Sequence, residues 1–232
     1  MLERFRGRDF QTTFDHRFVE PPIHCHDRPH REGHLRRSCI VWVWHFAYDK
    51  TSSFDCSIFA LLMNYNEYFK LHEALVAKKA TTGGRTDPAY IEYTSLNFQR
   101  IKRWQKSVRL SDEQLRWLES NAELKVKWTV LTEPWCGDAA PSLPLMHLIA
   151  ASHPGITLEI LLRDENLELM NAHLTNGAQS IPKLIQTSEN NEVKSWGPRP
   201  IGAAALVHDY KEQNGVFDAA GRENLQQWYN SD

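Results

Sequence analysis

The sequence predicts an α/β fold in which a central mixed β-sheet is flanked by helices. Segments with strand-like and helix-like patterns alternate from residue 125 to residue 174. Two further strand-like segments, joined by a polar turn, follow over residues 182–196. Alternation of this kind gives parallel strands with helices between them, and the final pair is typical of an antiparallel hairpin. A helical C-terminal region with a break near Gly215 completes the pattern.

Three helices are predicted before the first strand, at residues 64–79, 88–106 and 111–119. The first places apolar and aromatic residues such as Tyr65 at helical spacing. The second has Asp87 as its N-cap and a proline at the first helical position. The third begins with Ser111 and Gln114, which have the spacing of a capping box. We interpret residues 63–121 as an N-terminal helical extension that packs on the core.

The core domain is predicted over residues 122–232. The first strand is rich in β-branched and aromatic residues, which favours a buried strand. The predicted strands of the core domain cover residues 125–132, 156–162, 182–188 and 192–196. Its predicted helices cover residues 136–152, 167–174 and 203–229.

The first 62 residues differ in composition from the rest. They hold six of the eleven histidines, three of the four cysteines, and eight arginines against one lysine. No hydrophobic periodicity is sustained there, so residues 1–62 are predicted to be a disordered or non-native extension. A metal site at His24-Cys25-His26 does not match the usual ligand spacing. A twin-arginine export signal at Arg36-Arg37 is disfavoured because the lead-in is long and the apolar run contains His45.

The segment Trp135-Cys136-Gly137-Asp138-Ala139 lies at a predicted strand-to-helix junction and contains one cysteine. At a helix N-terminus, unpaired N–H groups and the helix dipole favour a thiolate, and the thiolate is the nucleophilic form. We therefore take Cys136 as the candidate nucleophile.

Charged neighbours act against that effect. The dipole stabilises a thiolate by about 0.3–1 kcal/mol, and the carboxylates of Asp138 and Glu133 oppose it by a similar amount. Electrostatics therefore leaves the reactivity of Cys136 open. Pro134 and Gly137 are expected to hold the loop tip in an exposed position, which favours a reactive thiol.

Three landmarks make the chain resemble the thioredoxin-like superfamily. They are the Trp135-Cys136-Gly137 lead, Pro144 eight residues past the cysteine, and Ile181-Pro182 before a strand-like segment. The resemblance implies a thioredoxin-like fold over roughly residues 122–232 and a cis peptide bond at Ile181-Pro182 beside Cys136. It also implies a catalytic Cys136 and substrate contacts from Trp135, Gly137, Asp138, Ile181 and Pro182.

Departures from the family pattern bear on function. Ala139 stands where thioredoxins have a resolving cysteine, and Val130 stands where they have a buried aspartate. The motif resembles that of bacterial thioredoxin-family proteins with Trp-Cys-Gly-Asp and a small residue. We predict monothiol thiol-disulfide exchange through Cys136, with an external thiol such as glutathione, or a protein disulfide, as partner. The alternative is a non-catalytic binding module that uses the groove beside Cys136 and Pro182.

Composition excludes several other classes of function. The net charge of −2 and the interspersed charges give no nucleic-acid footprint. The apolar run at residues 39–48 is far shorter than the roughly 20 residues needed to span a bilayer, so no membrane partner is predicted. No phosphate loop or nucleotide fingerprint is present, and no cofactor or metal is predicted. The predicted location is cytoplasmic.

Overall fold

The computed structural model describes residues 62–231. Within them lie seven α-helices and four β-strands, with a 3-10 turn at Arg163–Glu165 after the second strand. The elements in chain order are α1 (Tyr65–Ala77), α2 (Pro88–Ser107), α3 (Asp112–Ser120), β1 (Val126–Thr132), α4 (Ala139–Ala151), β2 (Ile156–Leu162), α5 (Leu167–Ala172), β3 (Lys183–Ser188), β4 (Val193–Trp196), α6 (Ile201–Asn214) and α7 (Ala219–Ser231).

The four strands form one mixed sheet in the order β2-β1-β3-β4. Strand β1 pairs in parallel with β2 and antiparallel with β3, and β3 pairs antiparallel with β4. Met63 adds an isolated bridge to Ile160 at the outer edge of β2. The predicted α/β fold class, a mixed sheet flanked by helices with helix α1 before the domain, is confirmed.

Local capping chemistry sets the starts of the first three helices. The side chain of Asn64 accepts a hydrogen bond from the Glu67 N–H, and the Glu67 carboxylate accepts one from the Asn64 N–H, which is a capping box. Asp87 caps α2 through the N–H of Ala89. Ser111 caps α3 with a second capping box. All three helices predicted before the first strand are present.

The hydrophobic core lies between the sheet and helices α1, α2 and α4. Trp128 and Val130 of β1 are fully buried, as is Leu143 of α4. Pro144 lies inside α4, as the sequence predicts. The predicted start of this helix at residue 136 is wrong by three residues, because the Cys136 N–H donates to the Glu133 carbonyl and forms a turn before the helix.

A second cluster of buried side chains joins α6, α7 and α2. Ala203 and Val207 of α6 pack with Tyr229 of α7, and Trp104 of α2 packs against them. The predicted break between the two helices falls at Gly215, which has a φ of +76°. Helix α7 is therefore fixed to α2 as well as to its neighbour α6.

The predictions on the extension at residues 1–62, including its metal and export alternatives, lie outside the described residues apart from exposed Leu62. The division into residues 63–121 and 122–232 stays a prediction. No helix within residues 62–231 is both long and apolar enough to cross a membrane.

Candidate functional site

The candidate site begins where β1 ends and the chain turns into α4. Glu133, at the start of this turn, is fully buried. Its carboxylate accepts hydrogen bonds from the Thr82 hydroxyl and from the Asp164 N–H, the latter at 2.8 Å. Burial raises the pKa of Glu133, and these two hydrogen bonds act against that rise. The turn before Cys136 is thus fixed to the loop before α2 and to the end of β2.

Cys136 is buried, with 7% of its surface exposed. Its thiol donates a hydrogen bond to the carbonyl oxygen of Ile181 at 3.3 Å. Burial raises the pKa of the thiol to about 12, and the Asp138 carboxylate adds to the rise. The N–H groups of Ala139 and Asp138 and the guanidinium of Arg199 oppose it without cancelling it. The expected exposed loop tip is therefore wrong: Cys136 is a buried, protonated thiol at neutral pH.

The Ile181-Pro182 peptide bond is cis and lies beside Cys136, as the sequence predicts. Ile181 and Pro182 are both buried. A second cis bond, at Gly197-Pro198, lies in the loop after β4. The loops that precede β3 and follow β4 therefore meet next to the cysteine.

Trp135 is half-buried and is covered by cations. The guanidinium carbons of Arg85 and Arg163 each lie 4.9 Å from its ring centroid. The ring of Tyr90 meets it edge-on at 5.2 Å. The buried Nε1 of Trp135 has no hydrogen-bond partner within residues 62–231.

Asp138 is buried, and its carboxylate interacts with side chains from two other segments. Arg199 forms an ion pair with it at 2.7 Å, and the hydroxyl of Tyr229 donates to it at 3.0 Å. It makes no side-chain cap on α4, although it occupies the N-cap position. These contacts join the turn before α4 to the loop after β4 and to α7.

A cavity of about 870 Å³ opens beside these residues. Five of the six predicted site residues line it, and Pro182 is the exception; they are Trp135, Cys136, Gly137, Asp138 and Ile181. Four arginines also line it, namely Arg100, Arg163, Arg199 and Arg222. Sequence reasoning missed these arginines, because they come from segments far apart in the chain and no spacing pattern joins them. Among residues 62–231, no three or more His, Cys, Asp or Glu side chains group as a metal site would require.

The raised pKa of Cys136 gives a direct test. The rate of its alkylation by iodoacetamide should rise about tenfold per pH unit up to pH 10 without levelling off, since only the thiolate reacts. Peptide-resolved mass spectrometry separates Cys136 from the other three cysteines. A free cysteine peptide in the same tube should level off near its own pKa of roughly 8.5. A plateau for Cys136 at the same pH as the peptide would contradict the buried thiol.

A mixed four-stranded sheet, with a cysteine just before a helix and a cis-proline beside it, is the thioredoxin-like arrangement. The chain belongs to the thioredoxin family, since the family model described as Thioredoxin matches residues 84–211, more than half of its length. The match starts before α2, earlier than the expected residue 122, and it ends before α7.

Two solved structures resemble the chain at low identity. The crystal structure of PA1234, a protein of unknown function from Pseudomonas aeruginosa, is 17% identical with a TM-score of 0.44, covering 73% of this chain and 99% of that one. The crystal structure of an HIV epitope-scaffold is 18% identical with a TM-score of 0.43, covering 61% of this chain and 81% of that one. No curated protein matches the sequence significantly.

Proposed function

We propose that this thioredoxin-family protein binds a small ligand in the cavity beside Cys136 and Pro182, without turnover. The observation that supports this proposal is a cavity of about 870 Å³ whose cysteine is buried with a pKa raised to about 12. A cavity of this volume is within the range of small-molecule sites. A thiol with so high a pKa is almost wholly protonated at neutral pH and reacts slowly.

Ligand-observed NMR with a library of small fragments tests the proposal. Gly137→Leu should block the cavity, because a Cβ at Gly137 would point between the Nη1 of Arg100 at 3.8 Å and the Nε2 of Gln226 at 3.9 Å. Ala204→Leu, at an exposed position on α6, is the matched control. We expect fragments whose binding is lost in Gly137→Leu and kept in Ala204→Leu. A library without any such fragment would refute a ligand-binding cavity.

Monothiol exchange is the second candidate function. It is favoured by the position of Cys136, which lines the cavity with its sulfur 3.3 Å from the carbonyl oxygen of Ile181. The backbone N–H groups of Asp138 and Ala139 form hydrogen bonds to this sulfur that favour the thiolate. The Cys136 thiolate would attack oxidised glutathione, form a mixed disulfide and release one glutathione thiolate. A cytoplasmic low-molecular-weight thiol or a protein disulfide would be the partner. Without a cysteine at position 139, an external thiol must resolve the adduct.

Incubation with oxidised glutathione tests the exchange. Peptide-resolved mass spectrometry should detect one glutathione on Cys136, and Cys136→Ser should lose that adduct. The adduct should persist until an external thiol is added. Ala139→Cys should shorten its lifetime, because a thiol one helical turn away can displace glutathione. If Cys136 stays unmodified while an exposed control cysteine reacts, exchange is excluded and binding alone is left.

A further inference from the structure

The cavity beside Cys136 carries more positive than negative charge. Four arginines line it, against the two acids Asp138 and Glu223. Arg199 is paired with Asp138, and Arg163 shares the Asp164 carboxylate with Arg85, so both of these guanidinium groups already contact a carboxylate of the chain.

The other two arginines differ in this respect. Within residues 62–231, neither Arg100 nor Arg222 has a carboxylate within 4.0 Å. The Nη1 of Arg100 donates to the side-chain oxygen of Asn97 at 3.0 Å, and the Nη1 of Arg222 donates to the carbonyl of Phe217 at 3.2 Å. Arg100 is half-buried, so its charge is poorly compensated by solvent. Arg222 is exposed and interacts electrostatically with Asp218, so Arg100 and Arg222 are cations that no carboxylate of the described residues contacts directly, and Arg100 is the more buried of the two.

The donors on α2 and α7 converge at one place. The Nη1 of Arg100 and the Nε2 of Gln226 lie 3.8 Å and 3.9 Å from the position that a Cβ on Gly137 would take. Arg222 and Gln226 are four residues apart on α7 and therefore lie on the same helical face. Because Gly137 has no side chain, both donors lie close to the Cys136 turn at the wall of the cavity.

Aromatic rings line the same cavity. Tyr90 and Trp135 contribute one contacting pair, and Tyr93 and Phe217 contribute two further rings. Flat apolar groups bind well against aromatic side chains, while one or two polar groups fix their orientation. The lining thus combines aromatic rings with guanidinium groups.

We propose that the cavity binds a small organic anion, with a carboxylate or phosphate held by Arg100, Arg222 and Gln226 and a flat apolar part against the aromatic rings. This inference rests on the proposed ligand-binding function and names the class of ligand. All three donors are carried by α2 and α7, so these two helices, and no strand of the sheet, would bind the anion. Guanidinium groups bind carboxylates and phosphates by paired, charge-assisted hydrogen bonds.

Three probes with a common ring test the proposal on the full chain: benzene-1,3-dicarboxylate, phenyl phosphate, and the uncharged benzene-1,3-dicarboxamide. Binding is followed by the shift of the Gly137 amide signal in the NMR spectrum. At least one anion should bind about tenfold more tightly than the diamide, as expected for charge-assisted hydrogen bonds. The anion that binds more tightly identifies the preferred headgroup as carboxylate or phosphate.

Variants separate a specific site from general attraction. Arg100→Gln and Arg222→Gln should each reduce the preference for the anion about fivefold or more, and Arg100→Lys should retain part of it because the charge remains. Arg116→Gln, which removes an exposed arginine of α3 outside the cavity, should leave the preference unchanged. Thermal unfolding of each variant shows that it is folded.

The outcomes distinguish this proposal from the one on which it rests. Equal binding of anions and diamide would overturn the anion class but keep a ligand-binding cavity. A preference that survives both Arg100→Gln and Arg222→Gln would overturn the assigned residues. If neither anion shifts Gly137 while library fragments still bind in the cavity, the anion class alone fails. If no fragment binds there either, both proposals fail.

Discussion

Gly197→Ala should lower the free energy of unfolding by about 4 kcal/mol, among the larger effects of single substitutions. Gly197 has a φ of +118°, a conformation that residues with a side chain rarely adopt. A Cβ there would lie 2.1 Å from the carbonyl oxygen of Pro182. Because that oxygen belongs to the backbone just before β3, neither atom can move aside cheaply. Urea denaturation followed by tryptophan fluorescence measures the loss.

Gly215→Ala separates the two causes. Gly215 also has a positive φ, of +76°, but nothing lies within 4 Å of its Cβ position. The Gly215→Ala substitution should lower the free energy of unfolding by only about 1 kcal/mol, the cost of the left-handed backbone conformation alone. If both substitutions cost the same, the close packing of the loop after β4 on Pro182 is not a major source of stability.

His72 should make the protein less stable in mild acid. It is fully buried, its Nε2 donates to the Thr94 carbonyl at 2.8 Å, and burial lowers its pKa to about 4. Between pH 6.5 and pH 4 the unfolded chain binds a proton at this position and the folded chain does not. The stabilisation is therefore complete above pH 6.5 and is lost as the pH falls to 4, by roughly 3 kcal/mol.

Urea denaturation of the wild type and of His72→Gln at several pH values tests this effect. The glutamine amide can still donate a hydrogen bond to Thr94 but does not titrate. The raised pKa of Glu133 acts in the opposite direction, since the folded chain holds that proton more tightly, but it is common to both proteins. The free energy of unfolding of the wild type, relative to that of His72→Gln, should therefore fall by roughly 3 kcal/mol between pH 6.5 and pH 4. A constant difference between pH 7 and pH 4 would show that His72 is not buried as a neutral ring.

Local patterns were enough to predict most of the fold. The capping boxes of α1 and α3 are formed by residues three apart, and β1 is a short apolar run, so each signal is contained in a few neighbouring residues. The cis bond at Ile181-Pro182 was predicted from the resemblance to the thioredoxin-like superfamily. Errors in the fold were confined to the ends of helices and strands, such as the start of α4, where one backbone hydrogen bond decides.

The environment of Cys136 could not be predicted in the same way. Its burial depends on Ile181, 45 residues away, and on Arg199 and Tyr229, which reach Asp138 from still further along the chain. The helix dipole and the neighbouring carboxylates are visible in the sequence, but desolvation is the largest cause of the raised pKa. Desolvation is a property of the whole packing, so no local pattern of residues indicates it. The arginines of the cavity were missed for the same reason.

The packing of α7 against α2 bears on how a ligand would bind. Trp104 of α2 lies in the same apolar cluster as Tyr229, and Arg103 donates a hydrogen bond to Asn230. The donors Arg100 and Gln226 are therefore carried by helices already held together without a ligand. A preorganised site loses little conformational entropy when it is occupied. A few contacts on these two helices can then give useful affinity, and substitutions there can change ligand preference without disturbing the sheet.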